Sequence, residues 1–367
     1  MRRHLKESSY WKYFNYSLLS GTLMISLISL LVLYSIHTAN HSSYYKKQAL
    51  FLLLGLVLFV LVSRIDPHRL ISFAPYLYGL FLLSLLFLLV FSPRIAGAKA
   101  WVGIGGMGIQ PSEFGKIIVI LLIARVFRDH DSQTLSFKDI LRLGAITGAP
   151  VLLIMAQPDM GTAVTYSFIL LTLFILLGLK KEMVLLLVLS IVGVSYLGWN
   201  FVFKDYQKER VKVFMHPESD PLKYGYHTIQ SKITIGSGGL KGKGYLQGTQ
   251  KGMGFLPAQH TDFILSVYAE EFGFLGILFL FGSYFFLFSQ IYGIASGTED
   301  VECFLLGSLL LGQIFFQFLI NVLVSIGKLP VAGITLPFMS YGGSSLLTLF
   351  IMIGIIEGIH MKKYAGQ

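Results

Sequence analysis

The 367 residues are 54% hydrophobic and only 13% charged, with mean hydropathy +0.69 and a formal net charge of +10. A soluble globular domain carries charge on nearer a quarter of its residues, and disorder needs low hydrophobicity, so both classes are excluded. The apolar residues fall in uncharged blocks long enough to cross a bilayer, which predicts an all-α polytopic membrane protein, a single integral membrane domain over 1–367.

Ten spans are predicted, at 16–38, 47–63, 71–92, 111–127, 141–157, 160–178, 183–203, 266–292, 302–326 and 338–360. The first follows a basic arm (Arg2, Arg3, Lys6, Lys12) and is longer than a signal-peptide core, so no cleavable leader is expected. Residues 143–178 contain no Lys, Arg or Glu and read at first as one segment. One helix of that length would run about 54 Å against a hydrocarbon core of about 30 Å. Gln157-Pro158-Asp159-Met160-Gly161 supplies the break, because proline ends a helix and glycine permits a turn. One long segment, 204–265, separates spans seven and eight, and it exceeds a plain connector.

Loop charge sets the orientation. With the N-terminus inside, the inner segments carry fourteen Lys and Arg, among them Arg64, Arg69, Arg125, Arg128, Lys362 and Lys363. The short outer loops carry five: Lys46, Lys47, Arg94, Lys99 and Lys328. Both termini are therefore expected in the cytoplasm and 204–265 outside, although the inner loop at Glu299, Asp300 and Glu302 is acidic. The long loop holds nine basic residues against five acidic ones, which suits an anionic ligand. The net positive charge is assigned to loops facing anionic headgroups, with membrane lipids and not nucleic acid as the partner. A lone cysteine, Cys303, excludes an intrachain disulfide and reads as an apolar filler.

Ionisable residues inside spans are costly and usually functional. Glu113 and Lys116 lie three apart, on one face of the fourth span near its outer end. Asp159 occupies the outer turn between spans five and six, and Asp262 directly precedes span eight. In this topology the unusual charges face one side of the membrane. A pair between Lys116 and Asp159, shaping a polar cavity, is the expectation; mutual neutralisation that only fixes helix packing is the alternative. Asp262 reads either as a helix N-cap or as a general base. Glu270 and Glu271 read as packing residues or partners of loop cations.

Three stretches are rich in glycine. Gly103-Ile104-Gly105-Gly106-Met107-Gly108 fits a dinucleotide pattern but lacks the strand, helix and βαβ unit that such a site needs. Gly236 to Gly244 lacks a Walker pattern, since Gly242-Lys243 is followed by glycine; its N–H groups and lysines suit a diphosphate, or it is a flexible loop. Tyr341-Gly342-Gly343-Ser344-Ser345 suits close helix packing. Scattered histidines argue against zinc.

The set of motifs resembles the SEDS family (shape, elongation, division, sporulation). The matching stretches are Gln110 to Phe114, Gln157 to Thr162, Tyr226 to Lys232, Gly236 to Gly244, Gly248 to Gln250, His260 to Ile264, Glu270 to Gly273 and Pro337 to Ser345. Their order and spacing fit over nearly the whole chain. Gln157, Gln230-Ser231-Lys232 and Gly248-Thr249-Gln250 look more like the elongation (RodA) branch than the division (FtsW) branch. One departure is Ala258, at a position where members often carry Glu before x-His-Thr-Asp.

The resemblance implies a peptidoglycan glycosyltransferase that polymerises lipid II at the outer face of the bacterial cytoplasmic (inner) membrane during elongation. It also implies work beside a monofunctional class B penicillin-binding protein. That chemistry needs a base for a sugar hydroxyl and cations for a diphosphate leaving group. Asp262 is the expected base, or a ligand of a divalent cation such as Mg or Mn. Lys116, Arg210, Lys232, Lys241 and Lys243 are candidate diphosphate contacts, with Glu113, Asp159 and His260 around the cavity. No organic cofactor is expected. A lipid-precursor flippase and a non-catalytic scaffold for a transpeptidase remain the rival readings.

Overall fold

The structure is a computed structural model and describes residues 11–94, 98–104, 107–128, 137–178, 224–251, 256 and 258–364. The chain is built from helices α1 (Tyr16–Asn40), α2 (Tyr44–Ser63), α3 (Pro67–Phe91), α4 (Pro111–Val126), α5 (Phe137–Ala156), α6 (Met160–Leu177), α7 (Tyr224–Ser237), α8 (Ile264–Ser296), α9 (Val301–Ser325) and α10 (Gly343–Tyr364). A two-stranded antiparallel hairpin, β1 (Val102–Ile104) and β2 (Met107–Ile109), precedes α4.

Eight of these helices are long and apolar enough to cross a membrane. They match spans one, two, three, five, six, eight, nine and ten. Span four is α4, only 16 residues long and carrying Glu113 and Lys116. Span seven, 183–203, lies outside the described residues, as does the first part of the long loop, with Arg210.

Local chemistry sets the boundaries. Asp66 caps α3 by accepting from the His68 N–H, with Pro67 preset for the first helical position. Asp300 caps α9 by accepting from the Glu302 and Cys303 N–H groups. The break within 143–178 falls between Ala156 and Met160. There Gly161 approaches the Ala332 carbonyl so closely that a Cβ would lie 1.8 Å from its oxygen. Helix α10 packs chiefly on α2, α8 on α9 and α1, and α6 on α9 and α5.

The long segment is more than a loop. Its helix α7 packs on α8 and α9, and residues 239–244 pair by backbone hydrogen bonds with the start of α8. Gly273 makes this possible: at φ 65° it interrupts α8 and frees the Phe274 and Leu275 N–H groups for the Gly239 and Leu240 carbonyls. The 33-residue α8 is accordingly two pieces, and the 23 residues after Gly273 would span about 34 Å, enough for a bilayer. Glu270 and Glu271, both fully buried, tie the segment down. Glu270 accepts from Lys243 at 2.6 Å and from the Thr249 and Gln250 N–H groups, while Glu271 is bonded to Lys251 and Ser35.

Candidate active-site cavity

A cavity of about 600 Å³ opens at one end of the bundle. Its lining residues lie at the starts of α4, α6 and α10 and directly before α8. The structure brings Glu113, Lys116, Asp159, His260 and Asp262 together in its lining. Lys232, Lys241 and Lys243 are not among the lining residues: Lys232 and Lys241 are exposed, and Lys243 is engaged by Glu270.

The charged groups are held at the starts of α4 and α6 and in the segment before α8. Lys116 is 1% exposed, and its ammonium donates to the Glu113 carboxylate at 2.9 Å, an i, i+3 pair within α4. The expected partner, Asp159, is bound otherwise. Its Oδ1 accepts from the Thr162 N–H at 3.1 Å, and its Oδ2 from Thr162 Oγ1 at 2.8 Å and Gln110 Nε2 at 2.7 Å. Helical geometry gives Lys116 a partner one turn away on its own helix, while Asp159 stands at a helix start whose N–H groups need an acceptor. Burial raises the Asp159 pKa, the two bonds from Thr162 lower it, the Glu113 charge raises it and Lys116 lowers it; the result stands above the ordinary carboxylate value.

The N-cap role therefore falls to Asp159, which caps α6. Asp262 does not cap α8: that position is Phe263, without a side-chain cap bond. Its backbone is fixed by three successive carbonyls. His260 O accepts from the Tyr341 N–H at 2.8 Å, Thr261 O from Ser340 Oγ at 2.6 Å, and Asp262 O from Asn321 Nδ2 at 3.1 Å. The His260 ring stacks on Tyr44 at 4.0 Å, and burial lowers its pKa, which favours the neutral imidazole.

Several lining residues come from stretches whose sequence reads as a false dinucleotide pattern or as helix packing. Gly103 and Gly108 pair across the hairpin and line the cavity, with Trp101 stacked where a side chain on Gly108 would go. Ser344 bridges hairpin and helix, accepting from the Gln110 N–H and donating to the Gly108 carbonyl. Its neighbour Gly343 meets Phe51 closely, so the small-residue motif serves both packing and the cavity wall. The repeated glycines before α4 were a usable clue, once the dinucleotide reading was set aside.

A second polar cluster lies at the opposite end of the bundle, where α3 and α9 begin and α4 and α10 end. His68 Nε2 lies 2.8 Å from Asp300, His68 Nδ1 3.0 Å from Glu302, and Arg128 Nε 3.1 Å from the other Glu302 oxygen. His68, Asp300 and Cys303 offer ligand atoms within 4.8 Å of one another. Lys362 occupies their midst, bonded to Asp300 and His68 and 3.6 Å from Cys303 Sγ, so an ammonium already supplies positive charge there.

Comparison with known proteins agrees with this architecture. The profile of a family described as "Cell cycle protein", the group of FtsW, RodA and SpoVE, matches residues 9–365. The chain is 39% identical over 310 residues to the peptidoglycan glycosyltransferase MrdB of Escherichia coli K12, covering 84% of each chain. It is 33% identical to the peptidoglycan glycosyltransferase RodA of Treponema pallidum, covering 95% of this chain and 98% of that one. Among solved structures, a chain from a peptidoglycan synthase complex that coordinates polymerization and crosslinking superposes with a TM-score of 0.82 at 30% identity. The rod shape determining protein RodA of Thermus thermophilus superposes with 0.71 at 28%. Each covers 96% of this chain and 98% of its own.

Proposed function

The chain belongs to the family of FtsW, RodA and SpoVE, and from that membership and the cavity we propose that it polymerises lipid II into glycan strands. The observation that carries the reading is the convergence of Glu113, Lys116, Asp159, His260 and Asp262 on one cavity at one end of a multi-pass bundle. Loop charge supports placing that end at the outer face of the cytoplasmic membrane, with both termini inside. The likeness to a synthase complex supports a class B penicillin-binding protein as the crosslinking partner.

In the proposed reaction the Asp262 carboxylate accepts the proton of the acceptor GlcNAc 4-hydroxyl. The oxygen attacks the anomeric carbon of the growing chain's lipid-linked end. The bond to the diphosphate oxygen breaks, and undecaprenyl diphosphate leaves with the electron pair. Lys116 is the cation of the cavity lining best suited to that developing charge. Arg210, Lys232 and Lys241 remain proposed contacts to the diphosphate from the long segment, Lys232 and Lys241 from outside the cavity lining, while Lys243 is committed to Glu270.

A divalent cation suits the carboxylate donors of the cavity better than the opposite cluster, whose centre Lys362 fills. In the alternative to the base role, Asp262 would hold Mg or Mn, which would supply Lewis-acid charge at the diphosphate.

The test is gel analysis of glycan made from labelled lipid II by the purified protein with its transpeptidase partner. Polymer from wild type and none from Asp262→Ala is expected. Equal polymer from both moves the chemistry away from Asp262. No polymer from either, with a competent partner, favours the flippase or scaffold.

A further inference from the structure

Asn321 sits on α9, one turn beyond Gln317 on the same helix face, and is 1% exposed. Its amide makes two bonds: Nδ2 donates to the Asp262 carbonyl at 3.1 Å and to the Ile334 carbonyl at 2.8 Å. Both acceptors belong to segments that line the cavity, residues 260–262 on one side and 333–335 on the other. One planar group therefore sets the distance between two walls, one of which carries Asp262.

The same amide has an orphan. Asn321 Oδ1 is buried with no hydrogen-bond partner among the described residues. A buried acceptor without a partner costs stability, a cost that a leucine of similar size would not carry. Helix packing alone gives no reason for an asparagine here; the two bonds it donates do. Gln317 works alongside it, donating to both the carbonyl and the hydroxyl of Thr335. The neighbouring anchors on His260 and Thr261 come from 340–341, whereas Asn321 ties the Asp262 carbonyl to a transmembrane helix.

We propose that Asn321 is a positioning residue for the polymerase reaction, holding Asp262 at the reacting hydroxyl through its backbone carbonyl. This rests on Asp262 being the base. A base held out of reach by an ångström loses turnover, while the lipid and sugar contacts that set substrate affinity persist.

The experiment compares wild type, Asp262→Asn, Asn321→Leu and Asn321→Gln in lipid II polymerisation with the transpeptidase partner, after matching folded protein by size-exclusion profile. Asn321→Leu is expected to lose about tenfold or more in kcat with KM within about twofold, and to shift the acid limb of the pH–rate profile. Asn321→Gln, which keeps a donor, recovers part of the rate; where Asn321→Leu fails to fold, its kcat and KM decide. A folded Asn321 variant with wild-type kcat beside an inactive Asp262→Asn overturns the positioning role alone. A rise in KM at unchanged kcat also overturns it, since Asn321 would then serve substrate binding. Full activity of Asp262→Asn overturns the base and the positioning role together.

Discussion

The two ends of the bundle treat charge in opposite ways. At one end Lys116 and Glu113 pair within one turn of α4, Asp159 is held by the start of α6 and by Gln110, the Asp262 backbone is held by α9, and together they surround about 600 Å³ of space. At the other, His68, Asp300, Glu302, Arg128 and Lys362 grip one another. Charges held within one helix or at one helix start can face a substrate, whereas charges that pair between helices join them. A flippase would call for charge along a path between the faces. The second cluster, closed by its own pairing, gives no such support.

Breaking the Lys116–Glu113 pair should have the largest effect on the cavity end. Lys116→Met leaves Glu113 without its buried counterion, and losing one partner of a buried pair costs about 3–5 kcal/mol. A large fall in melting temperature and loss of polymerisation are expected, measured by thermal unfolding in detergent and by glycan gels. The exchange Glu113→Lys with Lys116→Glu should recover part of the stability. Recovery instead from exchanging Lys116 with Asp159 would show that the pairing described here is not the working one.

Gly161→Ala comes next. Its Cβ would overlap the Ala332 oxygen, forcing the 332–335 wall outward at a cost of roughly 1–3 kcal/mol. Reduced turnover with a modest loss of melting temperature is expected. An unchanged enzyme would mean that this wall moves freely.

The opposite end should respond least at neutral pH. Burial raises the Asp300 pKa, but the bonds from Lys362 and the Cys303 N–H, with the Lys362 and His68 charges, bring it down to about 2. A carboxylate lowered on folding stabilises the protein above its unfolded value, near 3.9, and loses that contribution as pH falls toward 2. Lys362→Ala should therefore flatten the fall of melting temperature between about pH 4 and 2. An identical acid slope would remove Lys362 from the account.

The sequence made the helical class, the break at Gln157–Gly161 and the gathering of Glu113, Lys116, Asp159 and Asp262 at one end of the bundle legible, because hydropathy, proline and the place of a charge along a span are local signals. The partners of those charges were not legible. Whether Lys116 meets Glu113 or Asp159 depends on how α4 and α6 pack. Which aspartate caps a helix depends on where α8 starts, two residues beyond Asp262. Lys243 looked available for a diphosphate because Glu270 lies 27 positions away in sequence, and only folding of the long segment onto α8 joins them. Asn321 gave no signal, and Ser340 none beyond its place in the Pro337–Ser345 stretch, since both act on backbone carbonyls that no side-chain pattern reveals.

Asp262→Asn and Asp300→Asn, assayed side by side for initial rates of lipid II polymerisation with the transpeptidase partner, test the contrast most directly. The account predicts a loss of about 100-fold or more for Asp262→Asn, the scale of a missing general base, and a rate within about twofold of wild type for folded Asp300→Asn. Wild-type turnover by Asp262→Asn, or an equal loss in folded Asp300→Asn, would contradict it.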